Sequence, residues 1–367
     1  MATRLNDLFI THDTYVCLLS DHLLPNVIPV VQASPGRVVL LYTPNHKERV
    51  QRFKYATESL SIEIRDIQVN PYQYTQAQRI CDQILEEFPA AVLNVTGGTK
   101  IMALAAFDRF RHHHLPIMYV DSDNQRIQYL HSGDSEPLGD PLTVKQYLAC
   151  YGFKMTNVSR QDNLPKTWRD VEQLLVLKSS TWQYDLRRLN WVASQQQPTF
   201  TLKAGELQEL LLKAELIEKI TAGEAVFQFT SDEARQFING GWFEHYVYSL
   251  LRQIEIQYPI KNLLKNIEIT NGRVKNELDV VFVYHNKLHV IECKTRHFAD
   301  NGKIDPTSTI YKIDSVTNRA AGIKRKSMFA SYFPLSRAVK DRCVDNGISF
   351  SDQPSQLHSQ LIRWINS

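Results

Sequence analysis

Residues 277–296 read ELDVVFVYHNKLHVIECKTR. The run is dominated by β-branched and aromatic residues, the composition of strands inside a sheet. Glu277, Asp279, Glu292 and Lys294 nevertheless interrupt it, and an unpaired buried carboxylate is costly or has its pKa forced upward. His285-Asn286 fits a two-residue hairpin turn, which makes 277–284 and 287–294 antiparallel partners. In that register Asp279 lies opposite Glu292, and Glu277 opposite Lys294. Side chains alternate faces with period two, so these four share one face. Val280, Phe282, Tyr284, His289, Ile291 and Cys293 share the other, mostly apolar one. Opposed carboxylates repel when left alone. A divalent cation removes that penalty, because hard Mg²⁺ or Mn²⁺ takes clustered oxygen ligands. Lys294, beside such a cation, can orient water or stabilise charge on a phosphate. The alternative is a pair of cross-strand salt bridges on a solvated sheet face.

The pattern Asp279…Glu292-Cys293-Lys294 resembles the PD-(D/E)xK motif of restriction-endonuclease-like nucleases. The resemblance implies that Asp279, Glu292 and the backbone carbonyl of Cys293 hold Mn²⁺ or Mg²⁺, while Lys294 acts on the attacking water. Glu244, in GGWFEHYV, resembles the acidic residue that many members bring from a preceding helix, which implies a catalytic role and a place at the metal. Leu278 stands where the motif often has Pro, and Lys312 matches a further polar position. Glu277, facing Lys294, is expected to tune that lysine. The basic run RAAGIKRK (319–326) suits the backbone of a nucleic acid.

The first 145 residues alternate β-like runs with helical patterns. TYVCLLS, RVVLLYT, IEIRDIQV, AAVLNVT and PIMYVDS are separated by amphipathic stretches such as KERVQRFKYATESL and QAQRICDQILEEF. This rhythm predicts a Rossmann-like parallel sheet with helices on both faces, and ligands bind such sheets beyond the carboxyl ends of the strands. A closing hairpin is expected in IMYVDSDNQRIQYL, turning at Asp123-Asn124. NVTGGTKIMALAAF (94–107) ends a strand and opens a helix. Gly97 and Gly98 allow close backbone approach, Thr96 and Thr99 offer hydroxyls, Lys100 a countercharge, and the helix N-terminus free N–H groups. The loop is neither a P-loop nor a dinucleotide fingerprint. It reads either as an anion cradle or as a plain strand–helix turn.

TGGTKIM closely resembles the ligand loop of CRISPR-associated Rossmann-fold (CARF) domains, which bind cyclic oligoadenylates. That likeness implies ligand contacts from Thr96, Gly97, Gly98, Thr99, Lys100 and Met102. It adds Ser20 and Asp21 after the first strand, Thr43 and Asn45 after the second, and Asp121 at the same sheet edge. A CARF domain followed by a PD-(D/E)xK domain resembles the cyclic-oligoadenylate-activated ancillary nucleases of type III CRISPR systems. The expected activator is cyclic tetra-adenylate. A symmetric ring is best held on a two-fold axis, so a homodimer is expected. The nucleic-acid substrate, single-stranded DNA, RNA or duplex DNA, is left open. Two other classes stay open as well: a ligand-responsive transcription regulator, and a ring nuclease that degrades the cyclic oligoadenylate itself.

The overall expectation is an α/β chain in three parts: a CARF sensor over 1–145, a connecting module over 146–235, and a nuclease domain over 236–367. In the middle part, helical stretches (TWRDVEQLLVLKSS, GELQELLLKAELIEKI) precede a hairpin turning at Ala222-Gly223, a winged-helix-like pattern. Trp168, Trp182 and Trp191 of this part are read as packing residues. Net charge is +3 over 367 residues, but from Gln236 onward 18 Lys and Arg face 12 Asp and Glu, a local +6. Such a balance suits a polyanionic substrate. Five scattered cysteines without a CxxC pair argue for a reducing cytoplasm and against a zinc site. No apolar run is long enough to span a membrane, so no membrane partner is expected.

Overall fold

In the computed structural model, which describes residues 13–158, 164–220, 225–296, 310 and 326–367, the chain divides into two units, Met1–Lys154 and Met155–Ser367. The first is built on β1 (Thr14–Leu18), β2 (Arg37–Tyr42), β3 (Glu63–Gln68), β4 (Val92–Asn94), β5 (Ile117–Asp121), β6 (Arg126–Tyr129) and β7 (Ser135–Pro137). Their order in the sheet is β3-β2-β1-β4-β5-β6-β7. The first five strands in that order are parallel, and β6 and β7 close the edge antiparallel. Near-continuous apolar strands such as β1 and β2 are what a sheet covered on both faces requires. The helices are α1 (Leu24–Ala33), α2 (Lys47–Ala56), α3 (Tyr74–Glu87), α4 (Lys100–His112) and α5 (Val144–Cys150). Val16, Leu18, Val39 and Leu93 pack with Cys81, Ile84, Met102, Ala105 and Phe110 in one core. The chain steps outward from β1 to β2 and β3, then returns across it to β4. The switch point therefore lies at the carboxyl ends of β1 and β4, the place where such sheets bind ligands.

The first unit runs past the expected edge at 145. A capping box between Thr143 and Gln146 starts α5, which packs on α1 and α2.

The second unit contains a six-stranded sheet in the order β16-β15-β14-β13-β12-β8. Its strands are β8 (Lys154–Val158), β12 (Lys261–Thr270), β13 (Lys275–Tyr284), β14 (Lys287–Lys294), β15 (Lys326–Ser331) and β16 (Ser349–Ser351). The quoted hairpin forms in the expected register, with Val280 opposite Ile291 and Tyr284 opposite Lys287. His285 and Asn286 both take positive φ, 50° and 54°, as a type I′ turn demands. β14 and β15 are parallel. A second sheet, β10-β11-β9, joins β9 (Phe200–Thr201), β10 (Ile217–Lys219) and β11 (Val226–Phe229). The turn expected at Ala222-Gly223 lies outside the described residues, as do Lys312 and residues 319–325 of the basic run.

Helices α6 (Lys166–Leu177), α7 (Gln183–Ser194), α8 (Glu206–Lys213), α9 (Asp232–Gln236), α10 (Trp242–Ile254), α11 (Arg337–Asp345) and α12 (Leu357–Ile365) belong to this unit. The described residues of 155–235 share their core with the rest of the unit. Trp182, Leu186 and Leu211 belong to the same buried cluster as Trp242, Phe282, Ile291 and Trp364. No helix among the described residues is long and apolar enough to cross a membrane.

Candidate active site and ligand loop

The hairpin delivers three oxygens to one point. Lys294 Nζ stands 2.7 Å from Glu292 Oε1, 3.4 Å from Asp279 Oδ2 and 3.0 Å from the carbonyl of Cys293. Asp279 and Glu292 are only 7% and 4% exposed. Asp279 Oδ2 also accepts the Cys293 N–H at 2.7 Å, so a side chain replaces a main-chain partner just beyond the last regular pair of the ladder. Burial, reinforced by the neighbouring Glu292, pushes the Asp279 carboxyl well above the ordinary carboxylate range. Burial opposes the charge on Lys294 too, yet the two carboxylates more than offset it and raise the ammonium pKa. Cys293 is buried, and desolvation raises its thiol well above the usual value, as expected for an unreactive side chain.

Glu244 reaches this site from the first turn of α10. A π-helical turn over Phe237–Gly241 precedes the helix, and Gly240 takes φ 135° there. Trp242 and Phe243 anchor the helix start edge-on against Tyr332, with ring centroids 5.1 and 6.0 Å away. Burial raises the Glu244 pKa, Lys294 and a hydrogen bond from Asn266 lower it, and Glu277 and Glu292 raise it further. Glu244 and Glu277 line a cavity of about 380 Å³ together with Glu233, His245, Lys265 and Asn266. Glu277 does not meet Lys294, contrary to the register-based expectation. It pairs across β12 with Glu268 and is exposed, because the β13–β14 ladder ends at Val280 and Ile291.

The donor set fits a hard divalent cation. It comprises two carboxylates and one carbonyl, all oxygen, already converging on a positive charge supplied by Lys294. Among the described residues no three His, Cys, Asp or Glu side chains form a closed metal cluster; the third oxygen is a main-chain one. The sequence reading missed the pair next to Glu244. His245 Nδ1 lies 2.7 Å from Glu172 Oε1, both buried, and burial raises the Glu172 pKa against the opposing effect of His245. Glu172 sits on α6 within the apolar pattern VEQLLVL; a lone acid on such a stripe was the available signal.

In the first unit the TGGTK loop follows β4 at the switch point. A Cβ on Gly97 would lie 1.9 Å from the Leu18 carbonyl, so only glycine lets the loop cross the end of β1 this closely. Gly98 takes φ +73°. Thr96 and Thr99 are held within the loop. Thr96 Oγ1 donates to Asn94 Oδ1 at 2.6 Å and accepts the Val120 N–H at 2.8 Å. Thr99 caps α4 by accepting the Met102 N–H at 3.2 Å, and donates to the Pro71 carbonyl at 2.7 Å. Met102, expected among the ligand contacts, has its side chain in the core, 1% exposed. The Asp121 carboxylate accepts N–H groups from Asp123 and Asn124 and organises the β5–β6 turn. Lys100 and Asn45 are exposed. Asp21, hydrogen-bonded by Arg49 at 3.2 Å and facing His46 at 3.3 Å, has a lowered pKa on that account. Ser20 is half-buried beside it, and Thr43 is buried with Oγ1 2.9 Å from His46 Nδ1.

A switch-point ligand loop in one unit and a carboxylate–lysine hairpin in the other define a CARF-linked endonuclease. Residues 14–147 match the family model described as the Card1 CARF domain. Residues 231–365 match the Card1-like endonuclease domain. The chain is 74% identical to Can2 from Sulfobacillus thermosulfidooxidans, a structure solved in complex with cyclic tetra-adenylate, over 99% of this chain and 100% of that one, with a TM-score of 0.86. The chain therefore belongs to the Card1/Can2 family of CRISPR-associated CARF nucleases. The fold is shared with protein VC1899 from Vibrio cholerae, at 22% identity, 96% and 98% coverage and a TM-score of 0.80. A type III CRISPR defence DNA nuclease activated by cyclic oligoadenylate shares it at 15% identity and a TM-score of 0.62, over 95% of this chain and 51% of that one. No curated protein matches the chain. The endonuclease domain favours the nuclease reading over the transcription regulator.

Proposed function

We propose that this chain is a divalent-metal-dependent nuclease of type III CRISPR defence, active as a homodimer in the reducing cytoplasm and switched on by cyclic tetra-adenylate. The observation that carries the reading is the convergence of Asp279 Oδ2, Glu292 Oε1 and the Cys293 carbonyl on one cationic point. These three oxygens would hold Mn²⁺ or Mg²⁺, with Glu244 completing or orienting the site from α10. The cation, when bound, polarises a phosphodiester oxygen and favours hydroxide over water. Lys294 places its ammonium beside the same oxygens, where it orients the attacking water and offsets negative charge developing on the phosphate. The buried Glu172–His245 contact links α6 to the helix turn that carries Glu244.

In the first unit, the exposed Lys100, the N–H groups at the start of α4 and the half-buried loop after β1 would face the ring's phosphates. Support for the ring comes from the 74% identical relative that was solved with it. A ring on a two-fold axis gives each subunit half of the ligand. It can act as a switch only by binding the active arrangement more tightly. Five buried, unpaired thiols accord with a reducing compartment.

The test is cleavage of labelled single-stranded RNA, single-stranded DNA and plasmid in Mn²⁺, with and without cyclic tetra- or hexa-adenylate, beside Glu292→Ala. Cutting that requires one ring and disappears in the variant supports the reading. Ring binding without cutting of any substrate overturns it.

A further inference from the structure

Beyond Lys294 the chain enters a second cavity, of about 350 Å³, that the hydrolytic chemistry does not use. Thr295 and Arg296 line one side, and Arg187, Asn190, Trp191 and Gln195 of the α7 region line the other. Three features set it apart from a packing defect. Trp191 is 55% exposed, contrary to its reading as a packing residue. Its neighbours in the sequence pattern behave as expected: Trp182 is 5% exposed and Trp168 packs on Phe237 at 4.7 Å. Among the described residues the lining holds two arginines and no carboxylate, whereas the cavity on the Glu244 side is lined by three glutamates. Finally, Asn190 is 6% exposed, and its Oδ1 is buried with no hydrogen-bond partner.

Asn190 Nδ2 donates to the Thr295 carbonyl at 2.7 Å. That bond ties α7 to the backbone immediately after the catalytic lysine and leaves the buried amide oxygen as the atom without a partner. A buried acceptor without a partner is destabilising, and a ligand that brings an N–H relieves it. Arg187 lies against the face of Phe333, its Cζ 5.3 Å from the ring centroid, which restrains a side chain that would otherwise be free. The arginines suit phosphate, the indole suits a base π-face, and the amide oxygen suits an exocyclic amine. The volume lies at the low end for a ligand pocket.

We propose that this cavity is a subsite for one unstacked nucleotide of the substrate strand. Its base lies on Trp191, its amino group donates to Asn190 Oδ1, and its phosphate sits between Arg187 and Arg296. The inference rests on the nuclease reading above and deepens it. A base within a duplex cannot present its face to an indole, so the subsite selects strands that are single or locally opened next to the cut. It also discriminates among bases: adenine, cytosine and guanine carry an amine, and thymine and uracil do not.

The experiment uses the full chain with cyclic tetra-adenylate. In EDTA, binding of a fluorescein-labelled single-stranded DNA 12-mer is compared for the wild type, Trp191→Ala and Trp191→Phe, with a single abasic position moved along the strand. In Mn²⁺, KM and kcat are measured on the same strands. Trp191→Ala should weaken binding and raise KM about tenfold with kcat little changed, and Trp191→Phe should recover most of the loss. One abasic position should weaken the wild type and leave Trp191→Ala unaffected, a coupling that a merely structural tryptophan does not produce. Metal-dependent cutting by the wild type, combined with unchanged KM in Trp191→Ala and no such position, overturns the subsite and leaves the nuclease standing. Loss of dimerisation in Trp191→Ala, read by light scattering, assigns the indole to a contact between copies and overturns it too. A wild type that neither binds nor cuts nucleic acid removes the nuclease reading and the subsite with it.

Discussion

Replacing Lys294 by Met removes a cation that two buried carboxylates and a carbonyl share, while keeping the length of the side chain. Breaking a buried pair from one side costs about 3–5 kcal/mol, because the remaining charge is left uncompensated. The Lys294 side chain is 26% exposed and those of Asp279 and Glu292 10% and 6%, so water screens one partner and the cost belongs near the lower end, about 3 kcal/mol. For a unit of this size that lowers Tm by about 6–12 °C, measurable by circular dichroism in EDTA. The pH dependence follows from Asp279, whose folded pKa already stands above its unfolded value. The stability such a group contributes is complete below the unfolded pKa and is lost as pH rises through the folded one. Without the ammonium, the folded pKa rises further. The deficit of the variant is therefore largest at neutral pH and shrinks as the solution is acidified. Mn²⁺ at about 100 times its Kd returns about 2.7 kcal/mol, closing most of the gap, while cleavage stays lost. A variant that melts with the wild type in EDTA, or whose deficit responds neither to acid nor to Mn²⁺, would show that the lysine is not the counterion of this site.

Other outcomes follow from the geometry. Gly97→Ala places a Cβ against the Leu18 carbonyl, main chain against main chain; it should cost about 1–3 kcal/mol and abolish ring binding by calorimetry, with Mn²⁺ binding at the hairpin retained. Thr99→Ala should lose about 1 kcal/mol of stability through the missing helix cap, and Thr99→Ser should restore it. Asp279→Asn removes a carboxylate that burial disfavours, so it should raise Tm in EDTA at neutral pH and eliminate metal-dependent cleavage; a lower Tm contradicts the raised pKa. Burial holds the His289 pKa down at about 3. Its neutral form contributes stability above the ordinary histidine value, and that contribution is lost as pH falls towards 3. Its NMR shifts should stay flat between pH 8 and 5, and a midpoint near 6.5 would contradict this.

Much of the fold was legible because its signals are local. The alternation of β-branched runs with amphipathic stretches gave the strands of the first unit, and His285-Asn286 set the hairpin register through Val280 and Ile291. Period-two reasoning carried Asp279, Glu292 and Lys294 to one place for the same reason. It failed at Glu277, one pair further on, where the regular ladder had stopped and the pairing passed to β12. How the connecting module expected over 146–235 packs was illegible for a different reason. Trp182 and Leu186 are as apolar as any local core requires, and only tertiary packing decides that they share a cluster with Phe282 and Trp364. Trp191 shows the converse, since no sequence pattern separates an exposed indole from a buried one. The Glu172–His245 contact joins residues remote in sequence, beyond the reach of any spacing rule.

The internal hydrogen bonds of the TGGTK loop have a consequence for how a ligand is felt. Thr96 and Thr99 point back into the loop, to Asn94, Val120, Met102 and Pro71, so the loop has its shape before anything arrives. Fixing the backbone of one residue costs about 1–2 kcal/mol of conformational entropy, and over Thr96–Thr99 that cost is met when the chain folds. A newcomer finds a rigid rim and need not organise it. The free energy of its contacts is then not spent on ordering the loop that receives it.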